Sequence, residues 1–195
     1  MGTCAAGEVV VPSGTKGMQG RSDRQWPRRR EPDARLAALR CTVARLEGDE
    51  AERVVLGHPG VDAALGGGLA RGGVHEVLAE AGVQAAAATG FVAGLAARVM
   101  RRQPLLWVRQ EFAALECGQL AMPGMSDLGL DPRALIVVRT PDAAAALRVA
   151  ADALACAALG AVVLETWGVV RGLDLVAQRK LALAARRSRV TALLL

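Results

Sequence analysis

Five short apolar runs beyond residue 73 constrain the fold of this chain more than any other feature. They are 74–79 (VHEVLA), 104–109 (PLLWVR), 134–139 (ALIVVR), 160–165 (GAVVLE) and 190–195 (VTALLL). Each is continuous rather than alternating, the pattern of strands covered on both faces. Alanine-rich segments of helix length, at about 84–102, 142–158 and 173–188, separate them, while 110–133 is looser and broken by Pro123, Gly124 and Gly129. Strands alternating with helices imply a parallel sheet with right-handed crossovers. Composition agrees, since 39 Ala stand beside one Ile, two Phe and no Tyr. Such a core suits closely packed helices, not a sandwich of aromatic and β-branched strands. The fold class is α/β, a mostly parallel sheet flanked by helices, and 195 residues allow one domain with an extension.

The extension is N-terminal. Residues 1–32 hold Gly, Pro, Ser and the cluster Arg28, Arg29, Arg30 without periodicity, and read as a disordered basic tail. Leu36, Leu39, Val43 and Leu46 then recur at helical spacing, with Arg35, Arg40 and Arg45 between them, so 33–52 reads as an amphipathic helix, closed by Gly48, and a linker. The core is expected over 53–195. The net charge of +5 is uneven: the tail carries six basic and three acidic side chains, and the remainder 18 and 16. A nearly neutral core is not by itself a nucleic-acid binder.

Cys4, Cys41, Cys117 and Cys156 lie far apart, and with two lone histidines they compose no zinc site. His75-Glu76 is not a zinc-protease motif, because the second histidine would fall at Ala79. No nucleophile–base set stands at meaningful spacing. The most apolar stretch, 149–164, is interrupted by Asp152 and diluted with Ala and Gly, so no membrane span is expected. Residues 1–17 lack the pattern of a signal peptide. A cytoplasmic protein with reduced thiols is the expectation.

Ligands of a doubly wound sheet sit at the carboxyl ends of its strands. After the first strand, a phosphate-binding loop would place a glycine-rich turn ending in Gly-Lys-Ser/Thr, whose amides and lysine hold phosphates and whose hydroxyl holds magnesium. Here Gly82 is followed by Val83, then Gln84, Ala85 and Ala86, and Thr89 falls several residues late. The chain has only two lysines, Lys16 and Lys180, and neither is local. Position is right and chemistry is missing, so no ATP hydrolysis and no cofactor are expected. Glu165, at the end of GAVVLE, is the acidic residue that could face a metal-bound water, although an acid ending a strand also serves structure alone. Glu111 follows LLWVRQ, where a water-activating carboxylate could sit, but it equally fits an exposed helical turn.

Glycines punctuate LGHPGVDAALGGGLARGG, which reads as a short helix at about 60–65 and a tight connection packed against the sheet edge. Asp62, LGGGL, Gly73 and a strand carrying Glu76 resemble the RecA superfamily. More narrowly, ARLEG, GVDAALGGGLARGGVHEV, PLLWVR, MPGMSDLGLDPRALIVVR, VVLE and QRKLALAARRSRVTALLL are similar to the ImuA family in order and spacing, over about residues 40–195.

The resemblance implies a RecA-like core without its phosphate-binding motif, serving as a non-catalytic accessory protein of SOS-induced translesion synthesis. It implies as partners an ImuB-like inactive relative of Y-family polymerases and an error-prone paralogue of the polymerase III α subunit, with RecA a further candidate. It also implies a further C-terminal segment after 195. The TWGVVRG stretch after Glu165 is shorter than the first DNA-binding loop of recombinases, so DNA contact is expected to be weak or indirect. Candidate partner or DNA contacts are Arg28, Arg29, Arg30 and, on the basic helix 171–189, Arg179, Lys180, Arg186 and Arg187, though such a run also serves as a solvated face. Two other roles stay open: an SOS-linked cell-division inhibitor, and an atypical RecA-like ATPase or recombinase regulator.

Overall fold

A computed structural model describes residue 39, residues 52–79, 82–168, 170 and 172–195. The chain divides into two units, Met1–Asp49 and Glu50–Leu195. Leu39 is helical. The rest of the tail and N-terminal helix, with Arg28, Arg29 and Arg30, lies outside the described residues.

In the second unit the elements run β1 (Arg53–Val54), α1 (Pro59–Ala64), β2 (Leu69–Ala70), β3 (Val74–Glu76), α2 (Ala85–Val99), β4 (Leu105–Gln110), α3 (Glu111–Cys117), α4 (Met122–Asp127), β5 (Leu135–Thr140), α5 (Ala143–Ala153), β6 (Ala161–Glu165), α6 (Leu175–Ser188) and β7 (Thr191–Leu194). Short 3-10 turns precede α2 at Gly82–Gln84 and β5 at Pro132–Ala134. All five expected strands form one sheet in the order β3-β7-β6-β4-β5, every pairing parallel. With helices on both faces, this is an α/β fold compatible with a RecA-like core.

Period-two alternation on the central strands sorts the core into two layers. Leu105, Trp107, Ala161, Val163 and Leu193 pack with Val92, Ala93, Ala96 and Val99 of α2. Leu106, Val108, Val162, Leu164, Ala192 and Leu194 pack with Ala146 and Ala150 of α5 and Leu181 and Ala185 of α6. Apolar side chains on both faces explain why these strands read as continuous runs. The helices meet the sheet through alanine, which lets their backbones approach closely. Asp142 and Asp174 start α5 and α6 as N-caps, accepting from the Ala145 and Ala177 amides at 2.6 and 2.8 Å.

Two details differ from the sequence expectation. The first strand ends at Glu76 rather than near Ala79, because β3 is an edge strand with one neighbour, and β7 itself ends at Leu194. The glycine-rich connection is only partly packed on the sheet edge: Gly72 and Gly73 meet β7 there, the Gly72 amide donating to Thr191 Oγ1 at 3.1 Å and the Gly73 carbonyl accepting from the Ala192 amide at 2.9 Å, whereas Gly66, Gly67 and Gly68 lie inside an antiparallel ribbon of β1 and β2. There Arg53 Nη1 donates to the Leu65 and Gly68 carbonyls at 2.8 and 3.1 Å. Asp62 ties the ribbon's entry, accepting from the Leu56 and Gly57 amides at 2.7 and 3.0 Å.

Gly68 has φ +118°, and a Cβ there would lie 2.3 Å from the Val54 carbonyl oxygen. Gly118 has φ +76° with open space around it. Gly68→Ala is therefore expected to destabilise by about 3 kcal/mol, and Gly118→Ala by about 1 kcal/mol from backbone conformation alone. Urea denaturation of both variants checks this, and equal costs would remove the steric account of the ribbon.

Candidate functional site

Parallel strands bring the ends of β3, β6 and β7 to one edge of the sheet, where a cavity of about 670 Å³ opens. Gly82, Ala85 and Thr89 from the β3–α2 connection line one side, and Glu165, Trp167 and Cys117 another. This is where a nucleotide would sit in a protein of this class. Of the sequence-predicted loop residues, Gly82 and Ala85 border the cavity, while Gln84 and Ala86 stand beside it in the same turn. Among the described residues no lysine or arginine lines it. The Thr89 hydroxyl is committed to its own helix, donating to the Ala85 carbonyl at 3.0 Å. The amino end of α2 keeps its partial positive charge, but among the described residues no cation lines the cavity to add to it.

Glu165 is 3% exposed and is held on three sides. Arg109 Nη2 donates to Oε1 at 2.9 Å, and Trp107 Nε1 donates to Oε2 at 2.7 Å. Arg109 Nε also lies 2.9 Å from Oε2, a charge contact not aligned as a hydrogen bond. Arg109 spends its remaining amino group, Nη1, on the Gly118 carbonyl at 2.6 Å. Sheet register explains the grouping. Arg109 stands directly opposite Glu165, and Trp107 opposite Val163, so the three polar partners share the α2 face. A carboxylate engaged this way is positioned to neutralise Arg109, and its oxygens are committed to that pair and to an indole.

The remaining candidates separate from this site. Glu111 opens α3 and is exposed. Arg179, Lys180, Arg186 and Arg187 lie exposed on α6, outside the cavity lining, although Gln178 of that helix reaches it. His58 caps α1, accepting from the Val61 amide at 3.3 Å, and His75 Nε2 lies 2.8 Å from the Ala70 carbonyl. Among the described residues no three His, Cys, Asp or Glu side chains converge as a metal site, and no helix is long and apolar enough to cross a membrane.

Arg109 and Trp107 were not singled out from sequence. The available signal was an arginine closing an otherwise apolar strand, which demands a buried partner once that strand is central. Phe112 and Trp167 also escaped notice. Their rings meet edge to face with centroids 6.2 Å apart, and both remain partly exposed, Trp167 at the cavity wall.

No protein-family model matches this chain, and no curated protein sequence matches it. Among solved structures, SulA from Pseudomonas aeruginosa is similar at 19% identity and a TM-score of 0.45, over 62% of this chain and 94% of that one. A likeness at that score brings neither a fold nor a role to this chain.

Removing one member of the buried ion pair strands the other charge, at a cost of about 3–5 kcal/mol. Glu165→Leu and Arg109→Met are each expected to lose that much, and the double variant to recover most of it, in denaturant melts. Additive losses would mean the two side chains do not act as a pair. Burial first, then the nearby Glu165 charge, pushes the Cys117 thiol above its ordinary range, against the opposing pull of Arg109. At a given pH less thiolate is present than in a free cysteine, so iodoacetamide should modify Cys117 more slowly in the folded protein than in the unfolded chain. Peptide mass spectrometry over time reads this, and equal rates would contradict the burial.

Proposed function

We propose that this chain is a non-catalytic accessory protein of SOS-induced translesion DNA synthesis, using a RecA-type core to hold protein partners. The observation that carries the non-catalytic part is the state of Glu165. The acidic position that could have served a metal-bound water is paired with Arg109 and Trp107 inside the sheet. The cavity beside it offers phosphates no side-chain cation among the described residues. Phosphoryl transfer depends on stabilising charge at that place, and this architecture directs its charges elsewhere.

The SOS assignment is supported by the order of sequence pieces from GVDAALGGGLARGGVHEV to VTALLL, which resembles the ImuA family. On this reading the partners are an inactive relative of Y-family polymerases and an error-prone paralogue of the replicative polymerase α subunit. DNA is reached mainly through them. The protein needs no cofactor and works in the cytoplasm.

Two measurements test the proposal. A tagged chain recovered from DNA-damaged native cells should bring down both polymerase relatives. Recovery of the tubulin-like division protein instead would replace this role with inhibition of cell division. Calorimetry with ATP and magnesium should give no micromolar binding; binding at that level with turnover would make the chain an ATPase.

A further inference from the structure

Helix α6 carries on its outer face an exposed pattern of apolar and basic side chains. The helix is anchored through Leu181 and Ala185, 2% and 0% exposed. On the opposite side Val176 and Leu183, seven residues apart, form an apolar ridge and are 61% and 46% exposed. Two turns of an α-helix bring residues seven apart onto one line. The basic side chains follow the same rule: Arg179 and Arg186 flank one side of the ridge, and Lys180 and Arg187 the other. All four are exposed. Among the described residues the acidic side chain next to the helix in sequence is Asp174, which serves as its N-cap. Among the described residues no carboxylate stands within ion-pair distance of Arg179, Lys180 or Arg187.

We infer that this face of α6 docks an acidic amphipathic helix of a protein partner, whose apolar stripe covers Val176 and Leu183 and whose flanking carboxylates meet the two basic rows. The argument is complementarity in two properties at once. An apolar seam with charged rows on both sides is the geometry of heptad packing between helices, in which flanking charges choose the partner. A nucleic-acid backbone would satisfy the arginines but would press phosphates on Val176 and Leu183. The helix also offers no aromatic ring for bases to stack on. The chain's own amphipathic stretch at 33–47 is a weaker match by charge than an acidic helix, since Arg35, Arg40 and Arg45 outnumber Asp33 and Glu47. The inference deepens the accessory-protein reading by naming the class of partner. It rests on that reading only in requiring a protein partner, so failure to recover polymerases from cells would leave it standing.

The test uses the full chain and fluorescence anisotropy with a labelled synthetic helix about three heptads long, leucine along one stripe and glutamate on both sides. Two control peptides replace all leucines by serine, or all glutamates by lysine. Single-stranded and duplex oligonucleotides are run in parallel. The leucine–glutamate peptide should bind, and either Val176→Ser/Leu183→Ser or Arg179→Glu/Arg187→Glu should weaken it about tenfold or more. Arg133→Glu, at an arginine away from α6, should leave it unchanged. Thermal melts of these surface variants should match the parent. Equal binding of the serine peptide, or indifference to the Val176/Leu183 variant, would reduce the face to unspecific charge and overturn the inference. So would tighter binding of either oligonucleotide that is lost with Arg179→Glu/Arg187→Glu, or no binding of the acidic peptide.

Discussion

Two charges and an indole sit inside this sheet, and the carboxyl-terminal edge is organised around them. Arg109 is 2% exposed and Glu165 3%, each following a run of apolar strand residues. Neither could be buried alone, because an isolated charge in such a place is prohibitively costly. Their pairing therefore requires β4 beside β6 in one register, with Arg109 opposite Glu165. A shift of one residue would turn the carboxylate to the α5 and α6 face and leave the guanidinium without it. The pair is thus better understood as fixing the alignment of two central strands than as adding stability, since buried ion pairs often contribute little net. Trp107 completes the arrangement by donating to the oxygen that Arg109 covers less well.

The same arrangement shapes the cavity next to it. In a nucleotide-binding relative of this architecture, the acid at the end of the inner strand and the loop after the first strand would face each other across a ligand. Here the acid is turned to its sheet neighbours, and the Thr89 hydroxyl is turned back onto the Ala85 carbonyl. The cavity keeps its place in the fold while Glu165 and Thr89 are spent internally. Partly exposed Trp167 and Phe112 mark its rim, which gives that edge an aromatic rather than an anion-binding character.

Much of the fold could be read from hydropathy because each central strand is covered twice. The runs at 104–109, 160–165 and 190–195 became β4, β6 and β7 with their ends displaced by about one residue, whereas 134–139 became the edge strand β5, which is not covered on both faces: Ile136 and Val137 are 47% and 41% exposed. The first run was over-read because Val77 to Ala79 are apolar for another reason: Val77 packs on the core and Leu78 is 80% exposed. The β1–β2 ribbon was not legible at all. Its strands are two residues each, and Arg53 secures them through backbone carbonyls that no side-chain pattern announces. The site was half legible. Glu165 announced itself as an acid after four apolar residues, but its partner depends on strand order, which places β4 beside β6 although β5 lies between them in sequence.

Composition ties these points together. With 22 Arg and two Lys, nearly every cation in this chain is a planar fork. The fork can be buried against a carboxylate, as at Arg109, or arrayed in rows on a surface, as on α6. Alanine makes the division possible. Ala146, Ala150 and Ala185 are at most 2% exposed and bring α5 and α6 close onto the sheet without long apolar side chains. On α6 this leaves the large aliphatic residues Val176 and Leu183 outside, between the basic rows, where burial against their own domain is no longer open to them. A helix that needed them for its own anchoring would have turned them inward. Since Leu181 and Ala185 already anchor it, the outward Val176 and Leu183 are not needed for that anchoring, and they form the surface on which the proposed partner helix would seat.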